Sequence, residues 1–303
     1  MLNELFNTFS PSGFEYDMHD FLKEKLLPLK YDIRIDNLGT LIAHKDGDGQ
    51  KICIECGMDT SGIMVTATKD NVAYFSTVGN VSVAFLENKP IRFKNGAYGI
   101  VRYNGSDIGG AKISDLFVDI DTGSVSVGDF GAVDSFLRVS DNRIFSNDLS
   151  HKIPVKAVLD IAKELNTNKD ITLAFTAQKN LGARGINAFF GVNSFDKVIT
   201  VNSVSANKNI KSGSGCVLIA KDKKYITEQS LLKASEKTAI ENGISFAVSV
   251  CDENLYIENI STSGNGAHCL CIAIPVEYKS KGFECVSQRD ICSASDLIRL
   301  IIE

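Results

Sequence analysis

The period of the apolar residues changes twice along the chain, and those two changes constrain the fold more than any single motif. Up to residue 62, stretches of helical spacing alternate with stretches of strand spacing. From about residue 63 to residue 145 only short alternating strands remain, broken by Gly, Asn and Asp in segments such as GSDIGG and DTGSVSVGDFG. After Asn147 the alternation of helix and strand returns and runs to the end. Alternating helices and strands build a mostly parallel or mixed sheet covered by helices, whereas a run of short strands builds a sandwich or barrel of its own. The expectation is a discontinuous α/β domain of residues 1–62 and 146–303, interrupted by a β domain of residues 63–145. The two halves of the first domain must then pair across the insertion.

Local signals fill in this frame. Leu2, Leu5, Phe6 and Phe9 fall on one helical face, and Ser12-x-x-Glu15 reads as a capping box opening a second helix with Phe14, Met18, Phe21, Leu22 and Leu26 inward. Strands are expected at 31–35, 40–43 and 51–56, the last nearly all apolar as a doubly covered central strand should be. Beyond the insertion, Pro154 is expected to open a helix with Val155, Val158, Leu159, Ala162 and Leu165 inward. The strands DITLAFTA and KVITV follow, then a helix over 227–242 closed by Gly243, strands at 246–251 and 269–274, and a last helix near 293–302.

Composition excludes several classes. The 303 residues are 44% apolar and 23% charged with both signs mixed, which suits a folded soluble chain. A net charge of −5, with no basic cluster beyond pairs such as Lys223-Lys224, argues against a nucleic-acid partner. No apolar run approaches membrane-spanning length, and Glu4 inside the first helix does not suit an export signal. The eight cysteines sit in apolar runs, where free thiols behave as small hydrophobes, so a reducing cytoplasm is the expected setting. Cys53-x-x-Cys56 and Cys269-x-Cys271 beside His268 are read as core, because neighbours along a strand alternate sides.

In open α/β sheets the chemistry collects beyond the carboxyl ends of the strands. The polar residues expected there are Asp59 after KICIECGM, Lys179 and Asn180 after ITLAFTAQ, Asn202 and Ser203 after KVITV, and 277–280 after CLCIAIPV, joined by the loop 147–152. Six segments in this order, SPSGFE, DNLGTLIA, CGMDTSGIMV, TAQKNLGARG, GSGCVLI and IPVEYKS, resemble the motifs of M42 metallo-aminopeptidases of the glutamyl or deblocking type. The resemblance covers nearly the whole chain. It implies an α/β fold with a phosphorylase/hydrolase-like central mixed sheet flanked by helices, and a barrel-like insertion that serves dimerisation. It also implies release of N-terminal residues from short peptides by a pair of zinc or cobalt ions with a glutamate as base.

Position by position, however, this chain departs from the family's ligands. Gly57 stands where the family has histidine, before a retained Asp59; Lys179 and Asn180 replace the two consecutive glutamates; Asn202 replaces an aspartate and Ser280 the last histidine. The bridging aspartate falls in SNDLSHK, on His151 in the ungapped alignment or on Asp148 after a three-residue shift. An ammonium repels the cations such a site gathers, and amide or hydroxyl oxygens are weak zinc ligands.

The chain is therefore read as having lost the di-metal centre and the peptidase activity, with no metal expected. It would serve as a peptide-binding or scaffold subunit, in a homo-oligomer or beside an active paralogue. The alternative keeps an aminopeptidase with a shifted or single-metal site built from Asp59, Asp148 and His151, with His268 as a further candidate, holding zinc, cobalt or manganese. A metal-free Ser150-His151 pair is disfavoured, because adjacent residues rarely face each other for proton transfer.

Overall fold

The computed structural model describes residues 1–105 and 108–303; Ser106 and Asp107 of the GSDIGG segment lie outside the described residues. The chain opens with α1 (Leu2–Asn7), α2 (Tyr16–Leu26), β1 (Asp32–Ile35), β2 (Leu41–Lys45) and β3 (Lys51–Gly57). It continues through β4 (Gly62–Lys69), β5 (Val72–Val78), the short α3 (Val83–Leu86), β6 (Pro90–Phe93), β7 (Tyr98–Tyr103), β8 (Leu116–Thr122) and β9 (Phe130–Val133). After the hairpin β10 (Leu137–Ser140) and β11 (Arg143–Ser146) come α4 (Leu149–Glu164), β12 (Asp170–Thr176), α5 (Arg184–Val192) and β13 (Lys197–Ser205). The last elements are β14 (Cys216–Lys221), α6 (Gln229–Glu241), β15 (Phe246–Val250), α7 (Ile257–Ser261), β16 (Cys269–Val276), β17 (Glu284–Ser287) and α8 (Gln288–Ile302).

One mixed sheet of eight strands, in the order β1-β2-β12-β3-β13-β16-β14-β15, forms the centre. Its middle strands β12, β3, β13 and β16 run parallel, so their carboxyl ends open on one side. The period of two sorts their side chains. Ile52, Ile54 and Cys56 of β3, with Leu270, Ile272 and Ile274 of β16, face a core shared with α1, α2, α4, α6 and α8. Cys53, Cys269, Cys271 and Ala273 face the opposite core against α5 and α7. Cys53 and Cys56 thus lie on opposite faces, as alternation requires.

Strands β4 to β9 close into a small barrel with its own core of Ile63, Val65, Phe75, Ile91, Phe93, Val101 and Val118. The expected mixed sheet with a small all-β insertion is therefore present. The hairpin of β10 and β11 leaves the barrel and pairs with β17 instead, in a separate three-stranded sheet. No helix among the described residues is long and apolar enough to cross a membrane.

Two local expectations need correction. Helix α2 starts at Tyr16 with no side-chain cap, because Ser12 and Glu15 are drawn away. Ser12 Oγ donates to Asp59, while the Glu15 carboxylate accepts from the backbone N–H of Gly13 at 2.9 Å and Gln178 at 3.0 Å. The residues expected as the loop 147–152 are instead largely the first turn of α4, and Pro154 lies inside that helix. A proline there leaves the carbonyl of Ser150 without its helical donor. The Ser203 hydroxyl of β13 supplies one at 2.8 Å, so tertiary packing offsets the defect that sequence reasoning takes for a helix start.

Candidate functional site

At the carboxyl ends of the parallel strands lies a cleft lined by Gly57, Asp59, His151, Lys179, Asn180, Asn202 and Ser280. Lys179 enters it from a short 3-10 turn after β12, reached through the left-handed Gln178, φ 54°. The ammonium donates to Asn202 Oδ1 at 2.8 Å and lies 3.7 Å from the carboxylate of Glu55. Glu55 is fully buried in β3, where it also accepts from the hydroxyls of Thr176 at 2.7 Å and Thr200 at 2.6 Å. Asn202 donates in turn to Thr200 Oγ1 at 2.9 Å. A buried carboxylate is costly unless paired and hydrogen-bonded, and these partners meet both needs.

Lys179 owes its path to Gly57. A Cβ at position 57 would meet Lys179 Cδ at 2.6 Å and Cβ at 3.3 Å, so any side chain there competes with the lysine stem for the same space. Next to it, the Asp59 carboxylate accepts from the backbone N–H of Lys179 and Asn180, each at 2.9 Å, from Asn180 Nδ2 at 2.9 Å, and from Ser12 Oγ. Asp59 is buried, with both oxygens committed.

The remaining family positions sit at the start of α4 and after β16. His151 Nδ1 lies 2.8 Å from Asp148 Oδ1; burial pulls the imidazole pKa down, but the hydrogen bond and charge of Asp148 outweigh it and leave it raised. Ser280, left-handed at φ 60°, donates its backbone N–H to Glu284, which also accepts from the N–H and hydroxyl of Ser150. Burial raises the Glu284 carboxyl despite these donors. Asp148 faces a second chamber, between α4 and the barrel, which shares His151 and Ser280 with the first cleft. His268 is not in either space: it is exposed, 3.3 Å from Glu228, in a separate hollow, so the single-metal set that included it is not assembled.

The model of the M42 glutamyl aminopeptidase family matches residues 39–297. This chain belongs to the M42 peptidase family. An Acetivibrio thermocellus protein provisionally named an aminopeptidase is 28% identical over 311 residues, covering 96% of this chain and 93% of the relative. The lysyl aminopeptidase of Pyrococcus furiosus is 28% identical over 200 residues, 57% of each chain. Among solved structures, a TET aminopeptidase from the marine sediment archaeon Thaumarchaeota archaeon SCGC AB-539-E09 superposes with a TM-score of 0.92 at 20% identity, covering 99% of this chain and 94% of that one. The TET1 peptidase of Pyrococcus horikoshii, described as assembling into a tetrahedron or a large octahedral shell, gives 0.89 at 19% identity over 99% and 98%.

Within this M42 frame, sequence reasoning missed Glu55, Ser12 and Glu15. A Glu inside the apolar run that follows Lys51 in KICIEC was the available signal, because a charge in a doubly covered strand must have a partner. Glu15 stands out further: burial, with the nearby Asp59 charge adding to it, raises its carboxyl to about 7 even though two backbone N–H groups oppose the shift. Elsewhere, His44, Asp46 and Asp170 offer ligand atoms within 4.8 Å of one another and are a possible metal-binding group. They lie at the amino end of β12, away from the cleft, and the imidazole already bonds Asp46 through Nε2 at 2.9 Å and Thr172 through Nδ1 at 3.1 Å.

Proposed function

We propose that this M42-family protein has replaced its di-metal centre with an internal network around Lys179 and acts without peptidase chemistry, as a peptide-binding or scaffold subunit. The observation that carries this reading is the mutual exclusion at positions 57 and 179: the lysine stem fills the space that a side chain at 57 needs. The Lys179 ammonium lies between Asn202 and Glu55 and repels any divalent ion brought to the same groups. Gly57 offers no donor, and Asn180, Asn202 and Ser280 offer weak ones. Asp59 has both oxygens bonded to protein donors. On this reading Gly57, Asp59, His151, Lys179, Asn180, Asn202 and Ser280, with Asp148 in the adjoining chamber, are inherited positions whose residues do not fit a pair of zinc or cobalt ions.

Assembly belongs to the same proposal. Residues 63–145 would serve as the dimerisation domain, in a homo-oligomer or beside an active paralogue, since a solved neighbour is described as a dodecamer. The eight cysteines are all unpaired, which suits a cytoplasmic setting.

A second reading is favoured by family membership and by the Asp148–His151 pair: an aminopeptidase with one ion at a shifted site. Metal content after incubation with zinc, cobalt or manganese and dialysis separates the two. The proposal expects no ion that survives His44→Ala, which removes the peripheral group. An equivalent that persists in His44→Ala but is lost in His151→Ala would overturn it in favour of the single-metal enzyme.

A further inference from the structure

At the amino end of β12, away from the cleft, the sheet register gathers a second set of ligand-bearing side chains. His44 of β2 stands directly opposite Thr172 of β12 and, on its other side, opposite Asp32 of β1. Residues opposed in an antiparallel ladder share a face, and so do residues two apart along a strand. Asp46, just past the end of β2, and Asp170, the first residue of β12, therefore join His44 and Thr172 on the face that carries Ile42 and Ala174 under α5 further along. One nitrogen of His44 and one oxygen each of Asp46 and Asp170 lie within 4.8 Å of one another.

These groups are open to a solute: the side chains of His44, Asp170 and Asp46 are 31%, 19% and 99% exposed. They are also short of positive charge. Among the described residues, no lysine or arginine lies within 4.0 Å of the Asp32, Asp46 or Asp170 carboxylates; His44 alone approaches, at 2.9 Å from Asp46 and 3.8 Å from Asp170. Lys51, the neighbour of Asp170 on β3, does not close on it. Carboxylates this near one another repel, and a cation between them removes the repulsion. The imidazole's present partners do not block such an ion. Asp46 Oδ1, 2.9 Å from Nε2, is itself one of the ligands, and the Thr172 hydroxyl, 3.1 Å from Nδ1, holds the ring in place, as hydrogen bonds to ligating histidines do. An imidazole nitrogen among carboxylate oxygens suits zinc or nickel, whereas calcium and magnesium take oxygen ligands.

We infer that His44, Asp46 and Asp170 bind one divalent transition ion of the zinc or nickel kind, with water completing its coordination, and that the ion ties the β2–β3 connection to the amino end of β12. None of these residues belongs to the Lys179 cleft, so an ion here is compatible with a cleft that holds none. With ligands this exposed the ion exchanges freely and is lost in metal-free buffer.

The test titrates zinc, nickel and calcium by calorimetry into the full chain, dialysed first against EDTA and then against metal-free buffer, with thermal unfolding alongside. Zinc or nickel should bind saturably and raise the melting temperature while in excess, and calcium should bind at least tenfold more weakly. His44→Gln keeps a side chain that can bond Asp46 and Thr172 but is a poor ligand for these ions, and should weaken the binding at least tenfold. Nuclear magnetic resonance of the wild-type chain needs no variant: of its four histidines, His44 should be the first whose ring signals shift as zinc is added. No saturable binding of zinc or nickel, calcium as tight as zinc, an ion that His44→Gln leaves in place, or a first shift at His19, His151 or His268 would each overturn the inference.

Discussion

Lys179 and Gly57 form a unit, because the lysine stem lies where a side chain at 57 would project. Gly57→His should push the ammonium off Asn202 and Glu55 and leave a buried carboxylate without its cation, at a cost of about 1–3 kcal/mol. Adding Lys179→Glu should not recover this loss without a divalent ion, since it sets a second carboxylate beside Glu55; a double-mutant cycle by denaturant titration, with and without zinc, reads the coupling. Glu15 gives a pH prediction. Its carboxyl is raised from 4.5 to about 7, chiefly by burial, so the folded state holds the proton more tightly than the unfolded chain. The resulting stability is fully present below about pH 4.5 and is lost as the pH rises through about 7. Relative to Glu15→Gln, the wild-type chain should lose about 1–3 kcal/mol across that window, measured by urea unfolding at stepped pH.

Among the elements, α4 depends on a contact outside itself. Pro154 removes one helical donor, and Ser203 of β13 supplies the replacement to the Ser150 carbonyl. Ser203→Ala should therefore destabilise the protein by about 1–2 kcal/mol, more than a surface Ser to Ala change, and should speed hydrogen exchange in the first turns of α4. The same turn carries Asp148 and His151, so the variant should also disturb their pairing. Strand β15 is the outer edge of the main sheet and keeps Val248 and Val250 exposed at 44% and 65%. An apolar sheet edge is a template for pairing, so Val250→Lys should improve solubility without changing the fold, as read by light scattering and circular dichroism.

For the whole molecule, the proposal that Lys179 rather than bound ions holds the cleft together predicts a stability independent of chelators. Treatment with EDTA should leave the melting temperature unchanged, whereas a fall of several degrees would mean that bound metal contributes to the folded state. The barrel stands on the same chain as the cleft but encloses its own core, and the hairpin that follows it returns to pair with β17. The chamber lined by Ser10 and Arg92 exists only because the barrel folds back against α4.

The sequence by itself determined the periods, and with them the mixed sheet and the inserted all-β unit, while the spatial order of the strands came only from the tertiary structure. It also placed Lys179, Asn180, Asp59 and Asn202 at strand ends, because parallel strands share one open edge. Local signals failed where distant groups competed for the same atoms. Ser12 and Glu15 look like a capping box, yet Asp59 and Gln178 claim them; Pro154 looks like a helix start, yet Ser203 lets the helix begin earlier. Only the tertiary structure decided that Glu55 faces Lys179 and that the lysine stem excludes a side chain at 57. Those contacts join residues more than a hundred positions apart in the chain, and no periodicity encodes such a distance.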